Sequence, residues 1–272
     1  MTNFALTLFR TKNRALGAIF PSFAAKQARG LFLRPRRYPV KDWEAQMETR
    51  GRRMSYSQGL SALAWGESER KVLLVHGWES RATQMSGFVD ELVNAGYQVI
   101  AIDGPAHGHS QGRRANPYLF AQAVTSAYQT LGPFEGVVGH SMGGNAVATA
   151  IAEGIDPSRV VLISSPSSIE GVLQRFASFV GLPKRSKHRF IGLIEQAVGK
   201  PAWALNTACN IRNTQAKGLV IHDRADLEIP FSDAEKIIEE WQSAALYVTD
   251  GYGHRAIVRQ PQVWKKVVDF MA

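Results

Sequence analysis

The chain holds one cysteine, Cys209, in 272 residues, so an internal disulfide is excluded. Cysteine this scarce fits a reducing compartment, and a cytoplasmic location is expected. Nothing near Cys209 in sequence would activate it, so it reads as a buried free thiol. No stretch approaches twenty uninterrupted apolar residues, which excludes a helix that spans a membrane. The first residues have no signal-peptide layout, because Arg10, Lys12 and Arg14 break the apolar run and no cleavage pattern follows. Low-complexity tracts and internal repeats are missing too. So are the P-loop, the dinucleotide fingerprint and the haem motif, and no cofactor is expected. His107 and His109 share one turn without a carboxylate pair or a cysteine beside them, and no metal site is expected there.

Positive charge is in excess. The formal net charge is +9, which raises nucleic acid or an anionic membrane as partners. Much of the excess sits in the first 53 residues. It looks more like a basic N-terminal segment than a reading surface, and no recognisable module interleaves aromatic and basic residues, so nucleic acid is not expected to bind. Within residues 1–40, apolar clusters (Phe4, Leu6, Leu8, Phe9; Leu16, Ile19, Phe20; Leu31 to Leu33) alternate with basic ones. One or two amphipathic helices follow from that pattern. A basic amphipathic helix can lie weakly on a membrane surface, but more often it covers an apolar surface of its own protein. Oligomeric state is not legible.

The most informative stretch is residues 134–144. Val137 and Val138 lead into Gly139-His140-Ser141-Met142-Gly143, and an alanine-rich helical segment follows at once. This is the G-x-S-x-G pattern of a nucleophile elbow in its strand–turn–helix context. A serine on so sharp a turn projects its hydroxyl above the sheet, and a side chain at either glycine would clash with crossing backbone. The helix start leaves the Met142 N–H unpaired and free to stabilise an oxyanion.

Around the elbow the chain alternates strand and helix. Residues 41–70 read as an antiparallel hairpin, and Lys71–Val75 as a buried strand ending in His76-Gly77-Trp78. A helix over 84–95, a strand over 97–102 and a glycine-rich polar loop over 103–110 come next. Pro117 opens a helix to about 131, and a strand at 160–163 follows the elbow helix. After residue 217 come a strand (218–222), a helix (232–241), a strand (245–249) and a last helix from Pro261. Such alternation predicts a mostly parallel sheet covered on both faces. Residues 167–213 break the rhythm with amphipathic segments at 169–180, 190–198 and 201–208. A basic knot, Lys184 to Arg189, lies as a loop between the first two, and the whole reads as an inserted helical lid. Its apolar faces (Val172, Phe176, Phe179; Phe190, Ile194, Val198) are expected to roof the mouth above Ser141.

A serine hydroxyl needs an adjacent base, and the base an orienting carboxylate. His254 follows the final strand and Asp226 the one before it; Asp223 and Glu228 are rival carboxylates. The order Ser141, Asp226, His254 matches that of α/β-hydrolases. From about residue 56 to its end the chain resembles an α/β-hydrolase-fold serine hydrolase of the esterase and lipase kind. The matching pieces are His76-Gly77, residues 103–110, residues 139–143, Asp226 with Pro230, and Gly253-His254. The resemblance implies Ser141 as nucleophile, His254 as base and Asp226 as acid, with oxyanion N–H groups from Trp78 and Met142. Two departures stand out: Ala106 where a glycine is common, and Asp223 where a glycine often follows the histidine. The domain expectation is a basic N-terminal segment (1–55), a hydrolase core (56–166 and 214–272) and a lid (167–213). The functional expectation is a serine hydrolase acting on carboxylic esters of short to medium acyl chain. Thioesterase, lactonase and C–C hydrolase chemistries use the same fold, and a non-catalytic membrane-surface binder is the alternative of another class.

Overall fold

Short aliphatic runs build one eight-stranded sheet in the computed structural model, which describes residues 3–272. The strands are β1 (Arg52–Ser57), β2 (Leu60–Trp65), β3 (Lys71–Val75), β4 (Gln98–Ile102), β5 (Gly136–His140), β6 (Arg159–Ile163), β7 (Lys217–Asp223) and β8 (Ala244–Thr249). Their spatial order is β1-β2-β4-β3-β5-β6-β7-β8. The β1/β2 and β2/β4 pairs are antiparallel and the remaining pairs parallel. The central parallel strands are buried on both faces, which is why they read as unbroken apolar runs. The chain steps from β3 outward to β4, then returns to place β5 on the other side of β3. That reversal is the switch point at which doubly wound sheets gather ligands.

The helices are α1 (Asn3–Ile19), α2 (Pro21–Phe32), α3 (Asp42–Arg50), α4 (Val89–Asn94), α5 (Pro117–Leu131), α6 (Met142–Ala152), α7 (Ile169–Phe179), α8 (Lys184–Val198), α9 (Thr207–Ile211), α10 (Phe231–Glu240), α11 (Gly253–Ala256) and α12 (Pro261–Met271). Leu73 and Val75 point to a core shared with α5, α6 and α10, through Phe120, Ala146 and Ile237. Val72 and Leu74 point the other way, to Leu92 of α4 and to Val263 and Val267 of α12. A third cluster lies apart from the sheet, above the carboxyl ends of the strands. There Ala24, Ala25, Ala28 and Phe32 of α2 pack against Leu173, Phe190 and Ile194 of α7 and α8, and reach Met142. Among the described residues no helix is long and apolar enough to cross a membrane.

Several expectations need correcting. The hairpin is confined to residues 52–65, and α3 precedes it. That helix has little apolar periodicity; its start is fixed instead by Glu44 Oε2 accepting the Lys41 N–H at 3.0 Å. The helix expected over 84–95 is a 3-10 helix (Ala82–Phe88) that continues into α4. The basic knot is not a loop but the opening turns of α8. Ser186, Phe190 and Ile194 recur at four-residue spacing on its buried face, which turns Lys184, Arg185, His188 and Arg189 outward. Cys209 is exposed, since α9 buries Thr207 and Ile211 on one side and places the residue between them on the other.

The apolar faces of α7 and α8 also meet something unforeseen. Phe176 and Phe190 pack edge-on against Phe32 of α2, at centroid distances of 5.1 and 5.9 Å, and Phe32 stacks on Trp78 at 5.9 Å. Phe179, expected on the same face, is exposed with the Arg10 guanidinium over its ring. Phe32 thus joins the N-terminal helices to the Trp78 loop. Replacing Phe32 by Ala should destabilise the protein by roughly 3–5 kcal/mol, the usual cost of deleting a buried phenylalanine. A thermal or denaturant midpoint within error of the parent would show that α2 does not seal this cluster.

Candidate active site

Ser141 stands between β5 and α6 with φ 54° and ψ −122°. A positive φ costs a non-glycine residue about 1–3 kcal/mol, so the surroundings must hold it there. They do so by backbone bonds. The Ser141 N–H donates to Ile163 O on β6 at 2.8 Å, and its carbonyl accepts from Gly144 and Asn145 at 3.0 and 3.2 Å. The glycines of the motif are explained by close approach. A Cβ on Gly139 would lie 2.6 Å from the Gly144 Cα, and one on Gly143 would lie 2.3 Å from the Val75 carbonyl oxygen on β3.

Two further strand ends bring partners to the serine. His254, on α11 just after β8, sets Nε2 at 2.9 Å from Ser141 Oγ and Nδ1 at 2.7 Å from Asp226 Oδ2. With Nδ1–H given to the carboxylate, the Nε2 lone pair faces the serine hydroxyl. The His254 carbonyl accepts the Nε2–H of His140 at 2.8 Å, which anchors the backbone that carries the ring. Asp226 lies on the turn after β7, where its Oδ1 accepts the N–H groups of Glu228 and Ile229, each at 2.9 Å. Burial pushes its acidity toward the neutral form. The hydrogen bond and charge of His254, with those two N–H groups, outweigh burial and hold the carboxyl below its ordinary range.

The rival carboxylates do different work. Asp223 accepts from Thr249 Oγ1 at 2.7 Å and from the N–H groups of Ala225, Tyr252 and Gly253 at 3.0 to 3.1 Å. It ties the loop after β7 to the loop after β8 and has no bond to the His254 ring. Glu228 is half-exposed and paired with Arg255 at 2.8 Å; its nearer oxygen is 4.0 Å from His254 Nε2. Asp226 is the carboxylate bonded to Nδ1.

Met142 is the first residue of α6 and Trp78 follows Gly77 beyond the end of β3. Neither backbone N–H meets an acceptor among the described residues. The Gly77 backbone passes so close to the elbow that a Cβ there would be 3.0 Å from the Ser141 Cβ. The polar loop after β4 supports this side. Asp103 accepts the N–H of Ala82 at 2.8 Å and of His109 at 2.9 Å, and Gly108 crosses its carboxylate where any Cβ would clash. Ala106, the departure from a common glycine, has φ 62°. Arg37, from the N-terminal segment, donates to the carbonyls of Ala106, Gly108 and Ser110 and pins the loop.

Three buried histidines beside the site, His76, His107 and His140, are held neutral. In His76, Nδ1–H donates to Gly77 O while Nε2 accepts from Gly104 N–H. In His107, Nδ1–H donates to Pro105 O while Nε2 accepts from Glu79 N–H. Burial pushes His76 down to about 4, and His107 and His140 to about 3. His107 therefore has no ring nitrogen left for a metal, and no metal-holding group of three ligands is gathered among the described residues.

A cavity of about 340 Å³ opens beside Ser141 and His254. Its walls mix polar residues, among them Tyr38, Glu79, Arg81, Glu228 and Arg255, with the apolar Pro39, Trp78 and Val258. Three ion pairs cross the rim: Arg36 with Glu79 at 2.8 Å, Arg81 with the buried Glu44 at 3.6 Å, and Arg255 with Glu228. None of these wall residues was singled out from sequence as lining the mouth. They come from four separate segments and form no motif, so only the fold assembles them.

With this geometry in view, comparison with known proteins gives a consistent picture. Residues 72–266 match the model of the "Alpha/beta hydrolase family". A curated relative, Esterase Rv0045c of Mycobacterium tuberculosis, is 31% identical over 117 residues, a stretch covering 41% of this chain and 38% of that one. Among solved structures, the esterase PF2001 of Pyrococcus furiosus is similar at TM-score 0.63 and 19% identity, over 88% of this chain and 97% of that one. The esterase RhEst1 of Rhodococcus sp. ECU1013 follows at TM-score 0.62 and 20% identity, over 82% and 98%.

The neutral histidines set a pH dependence of stability. Their folded values lie below the ordinary unfolded value of about 6.5. Below pH 6.5 the unfolded chain takes up protons that the folded one refuses. Stability is therefore full above 6.5 and is lost as pH falls toward the folded values, by up to about 1.4 kcal/mol per pH unit for each histidine. Denaturant unfolding at pH 7.5 and at pH 5.0 should show a clearly lower midpoint at 5.0. Equal midpoints would mean that these rings are not held neutral.

Proposed function

The chain belongs to the α/β hydrolase family, and within it we propose a serine hydrolase that cleaves carboxylic esters of short to medium acyl chain. The observation that carries this reading is the continuous relay from Ser141 Oγ through the His254 ring to Asp226, on a strained elbow. In the proposed reaction His254 Nε2 takes the hydroxyl proton as Ser141 Oγ attacks the ester carbonyl. Asp226 holds the ring in the tautomer that can accept and stabilises the imidazolium that results. The oxyanion forms where the N–H groups of Met142 and Trp78 are unpaired, with the positive end of α6 beneath it. His254 then returns the proton to the leaving alcohol. Water, activated by the same ring, releases the acid from the acyl-enzyme.

Ester chemistry is further supported by the esterase relative at 31% identity. Acyl length is argued from the mouth. The apolar faces once expected to roof the substrate are covered by α2, so the space left is the cavity of about 340 Å³. That volume is at the small end of ligand sites and suits a short acyl group. A non-catalytic binder fits poorly, since a strained serine held against an aligned imidazole stabilises nothing unless the hydroxyl reacts.

Three variants and one substrate series test this. Ser141→Ala should abolish p-nitrophenyl ester hydrolysis and labelling by a serine-directed phosphonate, with the thermal midpoint retained; near-normal turnover in this variant rules out Ser141 as the nucleophile. Asp226→Asn should lower kcat by about four orders of magnitude, the loss known for the corresponding change in a serine protease. Asp223→Asn should act mainly on stability, by about 1–3 kcal/mol, because it sets an amide against three N–H donors; the reverse ranking would make Asp223 the acid. Across esters from acetyl to palmitoyl, kcat/KM should gain up to about 0.8 kcal/mol per methylene and then fall, peaking between butyryl and octanoyl. A steady rise to palmitoyl would contradict the small pocket.

A further inference from the structure

Residues 1–41 contain nine Lys and Arg and no Asp or Glu, so the whole formal charge of +9 resides there and the remaining residues carry 23 of each sign. The fold adds to this segment a second basic stretch. The start of α8 lies against the α1–α2 corner: Ser186 Oγ donates to Gly17 O at 2.9 Å, and Arg189 donates to Ser22 Oγ at 2.7 Å. Arg10 covers Phe179 at the end of α7 from the other side. One surface thus collects Arg14 and Lys26 with Lys184, Arg185 and Arg189. Among the described residues none of these cations has a carboxylate within ion-pair distance. The nearest acids in these helices are remote: Glu170 opens α7 a full helix length from Phe179, and Glu195 lies three turns along α8 from Lys184.

Large apolar side chains protrude from the same corner. Ile19 is 71% exposed, Phe20 58%, Phe23 53% and Phe179 53%. The inner faces of α1 and α2 are already packed, with Gly17 against Pro183 and Ala24, Ala25 and Ala28 buried. The outer parts of Ile19, Phe20 and Phe23 are left facing solvent. Unpaired cations ringing protruding aromatic and aliphatic groups, with acids absent, match a surface that is anionic outside and apolar just beneath. We propose that the α1–α2 corner, together with the start of α8, docks on an anionic lipid bilayer. Phe20, Phe23 and Ile19 enter the headgroup region while the cations face the lipid phosphates and carboxylates. Each cation near such a surface contributes on the order of fivefold in affinity, and the inserted side chains provide the second signal that stable attachment needs. A polynucleotide would use the cations but leave the aliphatic Ile19 without a partner, which is why a bilayer is favoured. This inference does not rest on the proposed hydrolase activity.

The test is sedimentation of the full chain with vesicles of phosphatidylcholine containing about 30% phosphatidylserine, at about 0.1 M salt. The protein should pellet with these vesicles, stay in solution with pure phosphatidylcholine, and be released as salt is raised. Arg185→Ser with Arg189→Ser should weaken vesicle binding on the order of 30-fold. Phe20→Ser with Phe23→Ser should weaken it at least about tenfold. Thermal midpoints near the parent's show that both variants fold. Failure to pellet with the anionic vesicles overturns the proposal, and so does equal pelleting with pure phosphatidylcholine. Retained binding in the phenylalanine variant, with duplex DNA displacing the protein from vesicles, would replace it with a polyanion site.

Discussion

A positive φ at Ser141 is the constraint to which the surrounding backbone is fitted. A residue in that conformation relaxes unless its neighbours forbid it, and here three strands do so. β6 accepts the Ser141 N–H, and β3 presents the Val75 carbonyl to Gly143 at a distance that no side chain would tolerate. β5 supplies Gly139, over which the first turn of α6 passes. The glycines are thus consequences of packing two elements against a strained turn. The same close packing brings Gly77 against the serine, so the loop carrying Trp78 is positioned by the elbow as well as by its own strand.

Around this rigid centre the polar groups are satisfied in one protonation state. His76 and His107 each donate through Nδ1 and accept through Nε2, and a proton added to either would face an N–H donor. His140 gives its Nε2–H to the His254 backbone. His254 differs from all three, because both of its ring nitrogens meet side chains, a carboxylate on one side and a hydroxyl on the other. Asp223 serves the same centre indirectly. By accepting from residues on both sides of the last loop, it fixes where α11 begins and hence where His254 points.

How much of this was legible depended on whether the signal was local. The central strands were readable because burial on both faces leaves an uninterrupted apolar run, as in Lys71–Val75 and Gly136–His140. Ser141, Asp226 and His254 were named from sequence, and the fold brings them into one hydrogen-bonded line. Choosing Asp226 over Asp223 needed family spacing, since both follow the same strand. Other features had no local signal. The start of α8 looked like a loop because six consecutive residues include five cationic or titratable ones, yet burial of Ser186 and Phe190 decides the helix. The pinning of the loop after β4 by Arg37 joins residues some seventy positions apart, and no periodicity announces such a contact. Cys209 was assigned to the interior by residue type alone, and the register of a five-residue helix placed it outside.

The placement of charge separates two roles that net charge alone would confuse. Cations at the mouth of a site can fasten its rim through ion pairs or stay free to attract an anionic group. At this mouth three are paired, Arg36 with Glu79, Arg81 with Glu44 and Arg255 with Glu228, while Lys41 and Arg259 line it with no carboxylate within ion-pair distance among the described residues. The paired groups belong to different segments, so they fasten the rim. A larger set of cations without a carboxylate partner lies at the α1–α2 corner and the start of α8. α2 spans the distance between the two regions. Its first residues meet the basic corner, and Phe32, about 17 Å along the helix, stacks on Trp78. A single short helix therefore has two separate duties. Its inner face completes the apolar wall behind the Trp78 loop, and its outer end leaves charge and aromatic rings in solvent, where nothing in the catalytic chemistry requires them.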